Sequence, residues 1–181
     1  MRLIITVSLW LTAGIANASD NEARYNEYTI RSEDIPVDAP KFDSFPATVY
    51  NGPNAKLNLR SDSEAKLFRT QLARWHKEKP NFAGHYILAR WGCGANCYSI
   101  SIIDAKTGRI YHPSGLRSNT TDNIDDALVD KSLQFRPDSK LLVLIGAPEE
   151  DMRHRGISYY VWENNKMNRV KFIYRPWYPE K

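Results

Sequence analysis

The chain has 181 residues, a net charge of +4, 42% hydrophobic residues, five tryptophans and only two cysteines. That length and apolar content suit one globular domain with a real core and exclude a disordered chain. The basic residues are dispersed, apart from short clusters such as Arg153-His154-Arg155, so the charge does not point to nucleic acid as a partner.

Residues 1–18, MRLIITVSLWLTAGIANA, read as a signal peptide. Arg2 precedes an apolar run from Leu3 to Ile15, and Ala16-Asn17-Ala18 forms an A-x-A cleavage site. The run is too short to span a bilayer, which takes roughly 20 apolar residues. No cysteine follows the cleavage site to carry a lipid anchor. The expectation is a mature chain beginning near Ser19, periplasmic or secreted, with no membrane span. Residues 19–44 are polar and read as an extended lead-in with a short strand at Tyr28-Thr29-Ile30. Residues 45–181 read as a single β-rich globular domain.

Within that domain, ATVYNGPNAKLNL suggests two short β-like runs about the turn Asn51-Gly52-Pro53. A helix is predicted over 62–77. Ser61 and Glu64 have capping-box spacing. Ala65, Phe68, Leu72 and Trp75 fall on one stripe, and Pro80 forbids continuation. His76 sits on the rim of that helix. HYILARW and YSISIID then read as strands, AKTG as a tight turn and RIYHP as a third strand. Residues 114–139 are polar and irregular, with one helical turn near Ile124 to Val129. KLLVLIG reads as a buried strand. ISYYVWE and KMNRVKFIY form a hairpin about Asn164-Asn165, since paired Asn residues tolerate the positive φ of a type I′ turn. The predicted fold is α+β: a mostly antiparallel sheet of about six to eight strands with one main amphipathic helix packed on it.

Export places Cys93 and Cys97 in an oxidising compartment, where two cysteines usually form one disulfide. On one extended strand the pair would lie too far apart to bond. The bridge therefore requires a turn at Gly94-Ala95-Asn96, with Asn96 in the left-handed position. That turn sets Trp91 opposite Ser99, Ala89 opposite Ser101 and Ile87 opposite Ile103. One face then carries the disulfide, Trp91 and His85. The other carries Tyr86, Leu88, Arg90, Ile100 and Ile102, and is the better core face.

The block NFAGHYILARWGCGANCYSISIIDAKTGRIY, with FRTQLARWHKEKP before it and SKLLVLIG and YYVWENNKM after it, resembles a family of small exported proteins of Gram-negative bacteria. The family's pattern is N-F-A-G-H-Y, then W-G-C-G, a second Cys, and I-x-D-A-x-T-G-x-x-Y. The resemblance spans roughly residues 45–175. It implies export, a compact β-rich domain and the Cys pair, and it brings neither an activity nor functional residues. A looser likeness, of architecture and without a shared motif, is to periplasmic lysozyme inhibitors, which also project a short disulfide-closed loop.

A disulfide-closed hairpin tip is preorganised, which lowers the entropic cost of entering a partner's cleft. Trp91 and Asn96 are therefore candidate binding residues. Tyr160 and Trp162, opposite Arg169 and Lys171 on the last hairpin, are candidates for cation–π stacking or for reading a glycan. His85 is the candidate base of an envelope hydrolase, although in this register Ser99 lies too far from it and Ser101 is not opposite it. No G-x-S-x-G or H-E-x-x-H pattern occurs. Asp122, Asp125, Asp126 and Asp130 do not match a calcium loop, and PEEDMRHR at 148–155 reads as a hairpin tip with internal ion pairs. No catalytic set, metal or cofactor is expected. The leading expectation is a non-enzymatic periplasmic protein that binds or inhibits another envelope protein through the hairpin tip. The alternatives are a cell-wall or glycan binding module, and a hydrolase using His85.

Overall fold

The computed structural model describes Ala23 and residues 27–177, so the signal peptide expected at 1–18 lies outside the described residues. Helix α1 (Arg69–Trp75) precedes the hairpin β1 (Tyr86–Gly94) and β2 (Cys97–Asp104). Then come β3 (Ile110–Tyr111), β4 (Ser118–Thr120), the short helix α2 (Asp126–Val129), β5 (Leu133–Phe135) and β6 (Leu141–Pro148). A second hairpin, β7 (Gly156–Glu163) and β8 (Lys166–Tyr174), ends the domain. All eight strands pair antiparallel in the order β1-β2-β4-β6-β7-β8, with β3 on β2 and β5 on β6.

The β1–β2 register is the one the cysteine spacing requires: Trp91 opposes Ser99, Ala89 opposes Ser101 and Ile87 opposes Ile103. The ladder becomes irregular at Cys93, and the turn itself is Ala95-Asn96 between Gly94 and Cys97. Asn164 and Asn165 both take positive φ, at 51° and 59°, as a type I′ turn demands.

The core has three parts, and neither face of the sheet is bare. Leu88, Ile100 and Ile102 of the first hairpin pack against Leu142, Leu144, Tyr160 and Trp162 of β6 and β7. On the opposite face of β1–β2, Ile87 and Ile103 are fully buried with Ala65 and Leu72. The outer face of β6–β7 is covered by Ile30, Phe42 and Phe45 from the N-terminal segment and by Leu128 of α2. The N-terminal segment is thus anchored on the sheet at Ile30, Ala39, Phe42 and Phe45, while Val37 between them is exposed. Ile30 makes a single parallel bridge to Ile124 in place of the strand expected at 28–30, and no strand forms about Asn51-Gly52-Pro53.

Two further expectations are corrected. The helix is shorter than 62–77, because the polar side chains ahead of it bond elsewhere. Ser61 Oγ donates to the Asn58 carbonyl and accepts from Ile110 N, while Asp62 Oδ1 accepts from Glu64 N. These bonds fix a series of turns in place of a capping box. Ala65, Phe68, Leu72 and Trp75 nevertheless pack inward together. The polar stretch 114–139 also contains two short strands. Asn119 of β4 is buried, and its amide donates to Tyr98 Oη and the Ile145 carbonyl, both at 3.0 Å. That side chain holds a polar strand between the two halves of the sheet.

Candidate functional site

Cys93 and Cys97 form a disulfide with their Cα atoms 5.2 Å apart. Asn96 takes φ 52°, the left-handed conformation expected of it. The tip from Gly92 to Asn96 is exposed, but it is fastened along one flank. The Asn96 carbonyl accepts from Thr121 N at 2.7 Å and from Thr121 Oγ1 at 3.1 Å. The Asn96 amide donates to Asp122 Oδ1 at 2.9 Å. Asn96 therefore straps the tip to the strand beside it.

Trp91 lies lower on the same hairpin, half-buried, with its ring 5.2 Å from that of Phe68. It forms a wall of two cavities. The larger, about 980 Å³, opens between the C-terminal end of α1 and β1 and is lined by Trp75, Arg74, Lys77, Glu78, Lys79 and Arg90, among others. None of those four cations is ion-paired with a described residue. The Arg90 guanidinium lies 5.0 Å from the centre of the Tyr98 ring, which fixes its head beside the groove.

The smaller cavity, about 380 Å³, lies against the other side of Trp91 and is polar. Arg117 spans it, donating from Nε to Glu149 Oε1 at 2.9 Å and from Nη1 to Glu64 Oε1 at 3.0 Å. The bond to Arg117 holds the Glu149 carboxyl below its ordinary pKa. His112 also lines this cavity, with its side chain only 4% exposed. Its Nδ1 is 2.8 Å from Asp62 Oδ1, and its Nε2 is buried without a hydrogen-bond partner among the described residues. A carboxylate can only accept, so in the neutral ring Nδ1 donates to Asp62 and Nε2 is the acceptor.

His85 stands apart, beside a cavity of about 490 Å³ at the other end of the hairpin. Its ring packs on Tyr86 at 4.2 Å, and Nε2 is 3.7 Å from Asp104 Oδ1. Burial lowers its pKa below the ordinary value, with Asp104 opposing. The Asp104 carboxylate already accepts from Lys106 N, Thr107 N and Thr107 Oγ1, so it builds the DAKTG turn.

Tyr160 and Trp162 are not surface platforms. They are 7% and 3% exposed and belong to the inner core, where Trp162 meets Tyr86 edge-on at 5.3 Å. Both faces of β7 are covered, one by the inner core and the other by the N-terminal segment. Arg169 is exposed and stacks on Phe172 at 4.6 Å, and Lys171 pairs with Asp38. In the 148–155 stretch, Arg153 chelates Asp151 and pulls its pKa down to about 2. An S-x-x-K spacing falls at Ser63 and Lys66, but both are exposed and lie ahead of α1. Among the described residues no group of three His, Cys, Asp or Glu side chains could hold a metal, and no helix is long and apolar enough to cross a membrane.

The structure thus unites Trp91, the one predicted binding residue at this face, with residues that the sequence pattern does not single out: Arg74, Lys77, Lys79, Arg90, Arg117, His112 and Asp62. The string RWHKEK at 74–79 carries a visible signal, an aromatic set among cations. The Asp62–His112 pair leaves none, being 50 residues apart. No family model, curated protein or solved structure matches the chain.

Proposed function

We propose that the protein is an exported, non-enzymatic binding protein of the bacterial envelope, and that it holds an acidic partner on the face centred on Trp91, at the base of the disulfide-closed hairpin. The observation that carries this reading is the 980 Å³ groove with Trp75 and Trp91 in its walls and four cations that no described carboxylate neutralises. A half-buried indole offers a large rigid contact at low entropic cost. Uncompensated cations around a concave wall focus a positive potential that draws and orients anionic groups. The leader-like segment at 1–18 supports export, and the disulfide is compatible with an oxidising compartment. A hydrolase reading built on His85 lacks support, because its neighbouring carboxylate is occupied within a turn.

Affinity capture from envelope extract tests the proposal. The purified protein is compared with Trp91→Ala and with the double charge reversal Arg74→Glu/Lys77→Glu. Salt is raised from about 50 mM to about 500 mM, which shortens the range of surface electrostatics. The expected result is one acidic partner retained by the unaltered protein and released by either variant and by salt. Retention that ignores both variants and the salt refutes the assignment of this face.

A further inference from the structure

We infer that the ligand of this face is the peptide-free glycan strand of the cell wall, whose lactyl carboxylates are free, laid across Trp91 with its acid groups in the cationic groove and its hydroxyls in the polar pocket. This rests on the binding reading above and deepens it by naming the ligand.

The two cavities that share Trp91 differ in character. On one side, Arg74, Lys77, Lys79 and Arg90 stand against a single acid, Glu78. On the other, two carboxylates, Glu64 and Glu149, share one guanidinium. A partner acidic along its whole length, such as an acidic peptide or protein edge, would meet like charge as soon as it passed Trp91. A sugar strand would not. Its carboxylates need cations only where they occur, and its hydroxyls donate to carboxylates and accept from guanidinium with no charge conflict. Saturated sugar rings also present a flat apolar C–H face that fits against an indole.

The second, independent observation is His112. Its side chain is only 4% exposed, it stands between the polar pocket and a neighbouring cavity of about 400 Å³ beside Asp62, and its Nε2 has no described partner. Asp62 accepts from Nδ1 of the neutral ring, which makes Nε2 the acceptor of that form. A buried acceptor left unbonded costs free energy that a donor from a ligand recovers. The group that fits is a hydroxyl, which is neutral and donates. A carboxylate at that position would place acceptor against acceptor beside Glu64 and Glu149.

Tryptophan fluorescence titration of the purified protein tests the inference with four soluble probes of matched length. These are peptide-free cell-wall glycan with lactyl carboxylates, neutral chitohexaose, oligogalacturonate and polyglutamate. The expected result is binding of the cell-wall glycan at least about tenfold tighter than any other probe. Trp91→Ala should lower that affinity about tenfold or more. His112→Phe, which keeps a ring and removes the acceptor, should weaken both N-acetylated glycans and leave polyglutamate unaffected. Should His112→Phe fail to fold by circular dichroism, the exposed change Arg90→Glu serves instead. It should weaken the acidic glycan severalfold while sparing chitohexaose.

Polyglutamate binding as tightly as the glycan would mean that charge alone is read, which overturns the inference and leaves the acidic-partner reading standing. Equal binding of chitohexaose or of oligogalacturonate overturns the cell-wall assignment in the same way. An acidic envelope protein captured by the Trp91 face, with no glycan bound, has the same consequence. No binding of any probe together with no capture from envelope extract defeats both.

Discussion

Removing the Cys93–Cys97 bridge separates a local staple from an element on which the fold or the binding depends. The bridge joins residues four apart in sequence, so it closes a loop of about five residues. The chain-entropy relation then gives about 7 cal/mol/K, or about 2 kcal/mol at 25 °C. This is an upper value, because residual structure in the reduced unfolded chain lowers the entropy that the bridge removes. The β1–β2 ladder runs from Tyr86–Asp104 to Gly92–Tyr98 without the sulfurs. Asn96 remains bonded to Thr121 and Asp122, and Cys97 remains paired with Thr120 across β2–β4. The variant Cys93→Ser/Cys97→Ser is expected to fold and to lose about 2 kcal/mol or less.

Urea unfolding of the variant and of the oxidised protein measures the difference, with an unchanged slope showing that both unfold from the same compact state. Amide exchange should quicken at Gly94 to Asn96 and stay slow at Leu88 and Ile102. The same pair of proteins tests the binding face. Trp91 lies below the irregular end of the ladder and packs on Phe68, so its affinity for ligand should change by less than about threefold. A loss above about 4 kcal/mol would refute the staple reasoning. Intact stability with abolished binding would move recognition from Trp91 to the tip.

Two further outcomes follow from buried groups. Arg155 is 1% exposed, and its guanidinium donates to the carbonyls of Asn123, Pro176, Arg175, Tyr28 and Asp122. Arg155→Met leaves carbonyls from three separate segments without their donor and should cost about 3–5 kcal/mol, lowering Tm by about 10 °C in a thermal melt. A fall of less than about 3 °C would show that water replaces these bonds. His85 and His76 both have folded pKa values below the ordinary 6.5, through burial. The unfolded chain therefore takes up protons first as pH falls, so stability is full above about 6.5 and declines as pH drops through the depressed folded values. Imidazole titration by NMR should place both midpoints below 6.5; a His85 midpoint above it would mean that Asp104 outweighs burial.

The parts of the fold that are legible in the sequence are those where a few residues leave the backbone one choice. Cys93 and Cys97 cannot bond without a turn, and the turn sets every pair from Trp91–Ser99 down to Tyr86–Asp104. Asn164-Asn165 does the same for β7–β8 from Glu163–Lys166 to Tyr160–Arg169, beyond which a bulge at Tyr159–Tyr160 shifts the register. Legibility fails where side chains do something other than alternate. ISYYVWE is apolar at successive positions because β7 is buried on both faces, and such a run hides which residues are surface. Tyr160 and Trp162 look available to a ligand in the sequence for that reason. Strand β4 has no apolar alternation, since one buried Asn119 holds it. The start of α1 has the spacing of a cap, but Ser61 and Asp62 form tertiary and turn bonds instead. At the candidate site, Trp91 and the cations of 74–79 are visible as residues. Their meeting across a groove with Arg90 depends on how α1 packs on β1.

His112 and His85 differ in what their neighbouring carboxylates leave free. A general base needs an oriented ring and a reacting proton within hydrogen-bond reach. His112 has the first: Asp62 holds its Nδ1 at 2.8 Å and leaves Nε2 as an acceptor. It lacks the second within the described chain, where no hydroxyl or thiol is bonded to Nε2. Both cysteines are joined to each other. His85 has a neighbouring carboxylate, but that carboxylate is committed to the backbone and side chain of its own turn. Orientation and nucleophile are thus found in different places. A hydroxyl bonded to His112 Nε2 would come from a ligand, since no described residue supplies one.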